Sequence, residues 1–237
     1  MKTETKADTQ HVTRIEKLGR TIVANPRYGD MKLSVFPFEN NGRRQYLPEG
    51  FRIWEDNFNE MLKHIPLHEG ANTHYLTIDS KFFTQDDFLR REGVHIDGNF
   101  CADPNFEGTT WGGTGTTWSG IGVTPTLEVV KNWVSPYPGE IPFGTYVSAD
   151  RGGILAVSNE IGCQAWSGTF NGKILDEGAC DHLADQLTDD RKVVFDKHDL
   201  YFMSSNTPHE TLMITKGTRR TFMRITLNHE YPNALIG

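Results

Sequence analysis

At 237 residues, with 37% hydrophobic and 23% charged residues, the chain can bury a sizeable core and is composed like an ordinary globular protein. That balance excludes a disordered chain, and no run approaches the ~20 apolar residues that a membrane-spanning helix needs. A net charge of −7 disfavours duplex nucleic acid as a partner, because a phosphate backbone is met with basic surface.

In chain order, residues 1–12 are polar and are expected to be flexible, with no apolar run that would mark a secretory signal. The first helix is expected over Arg52–Ile65, where Trp54, Phe58, Met61, Leu62 and Ile65 recur at three-to-four spacing and Pro66 ends the segment. A second, short helix is expected over Thr84–Arg90, with Thr84 as its cap and acidic residues in its first turn. From His74 onward the pattern is β. His74–Ile78, Gly153–Ser158, Cys163–Gly168 and Lys192–Phe195 read as strands. The chain ends as strand, turn and strand: Asp199–Ile214, Lys216-Gly217, Arg219–Leu227. Many short strands broken by Gly, Pro, Asn and Asp predict one mainly β domain over 1–237, a sandwich or jelly roll with a few N-terminal and flanking helices. Cys101, Cys163 and Cys180 form no C-x-x-C pair, so reduced thiols in a cytoplasmic protein are expected.

Residues 107–120 are rich in Gly and Thr and carry Trp111 and Trp118. The segment lacks the G-x-x-x-x-G-K-[ST] pattern of a phosphate-cradling loop, so a mobile loop or lid beside a site, or a plain turn between strands, is the better expectation.

His95 and Asp97 lie two apart between Gly93 and Gly98, so on a strand both side chains point to one face. His209, in Asn206-Thr207-Pro208-His209-Glu210, supplies a second imidazole from far along the chain. Two imidazoles and one carboxylate occupy one face of an octahedral Fe(II) and leave positions open for a cosubstrate and O₂. His198-Asp199 is no rival, because adjacent strand residues face opposite ways. Asn99 and Thr207 are candidates for fixing the imidazole tautomers.

The arginines sharpen this reading. A hairpin turning at Lys216-Gly217 sets residue 209 opposite 224 and 213 opposite 220, so His209, Arg220 and Arg224 share a face. Arg219, Thr221, Met223, Ile225 and Leu227 then form a more apolar face against covering helices. Arg224 is then near the metal and Arg220 farther along; a one-residue change of register swaps the faces and makes Arg219 the anchor instead. An arginine there suits the far carboxylate of an α-keto diacid, which its planar fork pairs with bidentately.

His95-Ile96-Asp97, His209 and an arginine ten or eleven positions later resemble the Fe(II)/2-oxoglutarate-dependent dioxygenases. The likeness covers roughly residues 88–228. It implies a double-stranded β-helix, the jelly-roll or cupin-like fold, with His95, Asp97 and His209 as iron ligands. Arg220 or Arg219 would bind the C5 carboxylate of 2-oxoglutarate. Arg220 with Arg224 also resembles the arginine pair of the taurine-dioxygenase-like branch. The implied activity consumes O₂ and 2-oxoglutarate, releases succinate and CO₂, and hydroxylates a small molecule or an amino-acid side chain. Trp111, Trp118 and Tyr137 are candidates for the pocket wall. Two other readings share these residues: a non-redox cupin-like protein that binds a sugar or small ligand, and a zinc hydrolase.

Overall fold

The structure is a computed structural model, and it describes residues 10–27, 29–86, 93–97, 149–172 and 180–237. The protein is mainly β, with antiparallel sheets. The first strands are β1 (Gln10–Thr13), β2 (Ile15–Arg20) and β3 (Met31–Glu39). A 3₁₀ segment, Glu49–Trp54, leads into the single α-helix of the described residues, α1 (Glu55–Leu62), and then comes the long β4 (Thr73–Phe83). Next in the chain are β5 (Ile154–Ser158), β6 (Cys163–Trp166) and β7 (Gly168–Asn171). The last four strands are β8 (Lys192–Val194), β9 (Asp199–Met203), β10 (His209–Thr211) and β11 (Thr218–Thr226).

Six strands form one sheet in the order β2-β9-β5-β11-β4-β3, and three form a second in the order β10-β6-β8. β1 pairs with β7 as a separate ribbon. His95 adds to the β10 edge of the three-stranded sheet through a bridge to His209. From β4 onward the chain mostly changes sheet at each step: β4, His95, β5, β6, and later β9, β10, β11.

The helix is shorter than its periodicity predicts. Its apolar residues nevertheless serve as expected: Trp54, Phe58, Met61 and Ile65 are all buried in one cluster. They pack on Leu76 and Ile78 of β4 and on Met223 and Ile225 of β11. Burying each such side chain contributes on the order of 2 kcal/mol, so this face is the main anchor of the six-stranded sheet. The opposite face of the same strands carries Ala156, Tyr201, Met203 and Phe222, which form a smaller cluster with Ala165 of the second sheet.

The expected second helix does not begin at Thr84. Thr84–Asp86 make a turn in which Asp86 has φ 67° and its amide donates to the Ile214 carbonyl at 2.8 Å. Aspartate tolerates that left-handed conformation, which ends any helical run. Residues 87–90 of that expectation lie outside the described residues, as do Cys101 and the Gly/Thr-rich segment 107–120.

The expected terminal hairpin is also absent. β9 stays in the six-stranded sheet beside β5, whereas β10 crosses to the other sheet and pairs with β6, His209 opposite Ala165. β11 lies between β4 and β5, with Arg224 opposite Thr77 on one side and Ala156 on the other. The break falls at Ser204–Pro208. Pro208 has no amide to continue a ladder. Ser204 Oγ bonds Asn206 Oδ1 at 2.8 Å and Thr207 Oγ1 at 2.9 Å, and such local bonds compete with strand pairing. His209 and Arg224 therefore do not sit side by side. They belong to different sheets and meet across the space between them.

Candidate metal centre

His95 and His209 are held opposite each other by their own backbones. The His95 amide donates to the His209 carbonyl at 2.9 Å, and the His209 amide donates back at 2.9 Å. Asp97, two residues on, points to the same side. All three side chains are buried, and their ligand atoms lie within 4.8 Å of one another. His95 Nε2 is 3.8 Å from Asp97 Oδ1, and His209 Nε2 is 3.7 Å from Asp97 Oδ2. Ligand atoms sharing one ion at 2.0–2.2 Å lie no more than about 4.4 Å apart, and both separations fall within that limit.

The tautomers fit a metal. His95 Nδ1 lies 2.9 Å from the Gly93 carbonyl, and His209 Nδ1 lies 2.9 Å from the Thr207 carbonyl. A carbonyl only accepts, so each neutral ring carries its proton on Nδ1 and turns the Nε2 lone pair inward. Thr207 thus orients His209 through its main chain, while its hydroxyl is bonded to Ser204. For His95 the partner is Gly93; Asn99 lies outside the described residues. Gly93 has φ +83°, a backbone that L side chains rarely adopt, which explains a glycine where this carbonyl must face the ring.

A cavity between the sheets is lined by the triad and by Ala156, Cys163, Phe195, Met203, Thr211, Arg220, Phe222 and Arg224. Arg224 Nη1 donates to Asp97 Oδ2 at 2.5 Å, and both residues are 5% exposed. Arg220, also buried, donates from Nε to Ser158 Oγ at 3.2 Å, and its guanidinium carbon lies 4.5 Å above the centre of the Phe222 ring. Arg219 is elsewhere. It lies on the other face of β11, where it binds Asp30 at 2.7 Å and the Gly29 carbonyl at 2.8 Å. Alternation along β11 separates the three: Arg220 and Arg224 face the cavity, and Arg219 does not.

Two buried cations and one buried carboxylate thus line the cavity among the described residues. A divalent metal adds further positive charge, which a dianionic ligand is suited to offset. The His-Asp-His set can hold a metal ion. An adjoining space shares Ala156, Cys163, Phe195, Arg220 and Phe222 with this cavity and is also lined by Ser158, Glu160, Asp196 and Asp199. There Asp199 is buried, and the Lys17 ammonium, with Arg20 behind it, holds its carboxyl below the usual carboxylate range.

Several cavity residues were not singled out from the sequence: Ala156, Ser158, Phe195, Met203 and Phe222. Phe222 was within reach, because it sits between Arg220 and Arg224 at strand period. Cys163 and Cys180 are thiols, and Cys163 is at the cavity wall. Trp111, Trp118 and Tyr137 lie outside the described residues. No helix among the described residues is long and apolar enough to cross a membrane. No protein-family model matches the chain, and neither a curated protein nor a solved structure matches it.

Proposed function

We propose that the protein is an Fe(II)- and 2-oxoglutarate-dependent dioxygenase that hydroxylates an unactivated C–H of a small molecule or an amino-acid side chain. The observation that carries this reading is that Arg220 lines the same cavity as the His95-Asp97-His209 triad. A metal site alone serves many reactions, zinc hydrolysis among them. A buried arginine in the same cavity is what a chelating diacid requires for its far carboxylate. The strand order supports a jelly roll, the double-stranded β-helix, since a chain that alternates between two antiparallel sheets is its pattern.

Each residue has a task in this reading. His95, Asp97 and His209 hold the metal by one face, and the bridge between the two histidines fixes the angle of approach. Arg224 fixes the Asp97 carboxylate through Oδ2 and adds positive charge beside the metal. Arg220 takes the far carboxylate of 2-oxoglutarate. Phe195, Met203 and Phe222 keep water from the reacting centre. With iron and 2-oxoglutarate held there, O₂ would be the oxidant: one oxygen atom would go to the substrate hydroxyl and the other to succinate, with loss of CO₂ from 2-oxoglutarate.

The test is aerobic incubation with Fe(II) and 2-oxoglutarate, scored by succinate. Turnover is expected, slow without substrate, and lost in His95→Ala. Arg220→Ala should raise the 2-oxoglutarate requirement by about tenfold or more, since the lost contact is a buried charge-assisted pair. Arg219→Ala should leave it unchanged. Wild-type protein that binds Fe(II) yet forms no succinate, or an Arg220→Ala protein with an unaltered requirement, overturns the assignment.

A further inference from the structure

Ser158 ends β5 directly opposite Phe222 of β11 and borders the adjoining space that Arg220 also lines. Its hydroxyl is fully used. Oγ donates to the Thr221 carbonyl at 3.1 Å and accepts from Arg220 Nε at 3.2 Å and from the Glu160 amide at 3.3 Å. One hydrogen and two lone pairs are all that a hydroxyl has. The residue's main chain is held too, because its carbonyl accepts the His198 amide at 2.6 Å. His198 sits in the turn before β9 with φ 66°, a left-handed backbone that non-glycine residues seldom adopt. Next to it, Asn159 Oδ1 accepts the Thr221 amide at 2.7 Å, and Asn159 Nδ2 donates to Asn25 Oδ1 at 2.7 Å. The acceptor offered to Arg220 is therefore fixed from β5, from β11 and from the turn that enters β9.

The Arg220 guanidinium lies over Phe222 and gives its Nε to Ser158. With that edge engaged, a carboxylate is taken end-on through the two terminal nitrogens, the geometry of a bidentate fork. Without Ser158, an arginine side chain has several rotamers of similar energy and loses entropy when a ligand selects one.

We propose that Ser158 is a positioning residue: it aims the Arg220 fork at the far carboxylate of a dicarboxylate ligand and does not touch that ligand itself. The inference rests on the oxygenase reading. It adds that affinity for the second carboxylate is set from β5 as well as from β11.

The test is anaerobic titration of the Fe(II)-loaded protein, followed by visible absorbance. The probes are 2-oxoglutarate and 2-oxobutanoate, a 2-oxo acid with no far carboxylate. Ser158→Ala should weaken 2-oxoglutarate about tenfold, as expected for one lost bond to a charged group, and leave 2-oxobutanoate within about twofold. Ser158→Cys, similar in size but a weak acceptor, should behave like Ser158→Ala, and Ser158→Thr should restore most of the affinity. Equal losses for both acids, or no recovery in Ser158→Thr, mean a packing defect and overturn the proposal. Wild-type affinity in Ser158→Ala alongside weakened binding in Arg220→Ala overturns it and leaves the oxygenase reading standing. Unchanged binding in Arg220→Ala overturns that reading itself.

Discussion

His95 and His209, 114 positions apart in the chain, exchange two backbone hydrogen bonds of 2.9 Å each. They form a hydrogen-bonded antiparallel pair, in which facing Cα atoms lie about 5.5 Å apart. Two imidazoles are thus brought to one point by main-chain geometry, before any metal binds. The two imidazoles are organised by the sheet.

That organisation separates two roles of the triad. His95→Ala removes a ligand and should abolish stoichiometric Fe(II) binding, measured by metal analysis after desalting, with a modest change in the melting temperature of the metal-free protein. Asp97→Ala should abolish binding and also destabilise the metal-free protein, by about 3 kcal/mol, because Arg224 loses its buried carboxylate. Equal melting temperatures for the two metal-free variants would count against a structural Arg224–Asp97 pair.

Gly93→Ala tests the tautomer control. A Cβ at φ +83° costs about 1 kcal/mol or more and shifts the carbonyl that holds His95 Nδ1. Metal affinity should fall about tenfold, the usual scale for losing a partner of a ligating histidine. A metal titration that overlays the wild type would exclude this role.

His74 makes stability depend on pH. It is fully buried between the rings of Phe38 and Tyr231 and accepts the Asn228 amide on Nδ1 at 3.0 Å. Burial lowers its pKa to about 4 from the ordinary 6.5. Above pH 6.5 the ring is neutral in both folded and unfolded chains, and stability is complete. As pH falls from 6.5 to 4, only the unfolded chain takes up the proton, which removes about 3 kcal/mol, and below 4 this group removes no more. Urea unfolding of wild type and His74→Gln between pH 7 and 4 should therefore give profiles that converge as pH falls; parallel profiles would refute it.

Thr77 and Thr226 are buried, and their hydroxyls have no hydrogen-bond partner among the described residues. A buried hydroxyl without a partner costs about 1–3 kcal/mol, so replacing it with a methyl of similar size removes a penalty. Thr77→Val should raise the melting temperature by about 2–4 °C for each kcal/mol recovered. A lowered melting temperature would mean that the hydroxyl is satisfied, for instance by a buried water.

The legible part of the site was whatever depends on spacing within one strand. The i, i+2 relation of His95 and Asp97 follows from strand alternation, and so does the separation of Arg220 and Arg224 from Arg219. The apolar stripe Trp54-Phe58-Met61-Ile65 was equally local. The hairpin was misread because its strands looked continuous, while the local bonds of Ser204, Asn206 and Thr207 and the missing amide of Pro208 send β10 to the other sheet. The faces along β11 came out as expected even so, since alternation along that strand does not depend on which strands flank it.

Ser158, Phe195 and Met203 had no signal of their own, for a serine or a phenylalanine in a strand reads as ordinary filling. By itself the sequence determined the shared facing of His95 and Asp97, the mainly β character and the facing of each residue along its own strand, because these are set by covalent spacing and backbone period. Which strands pair, and hence that Arg224 reaches Asp97 across two sheets while Ser158 holds Arg220, was decided only by the tertiary structure. Such contacts join residues 62 to 127 positions apart, and their formation depends on how the whole chain packs.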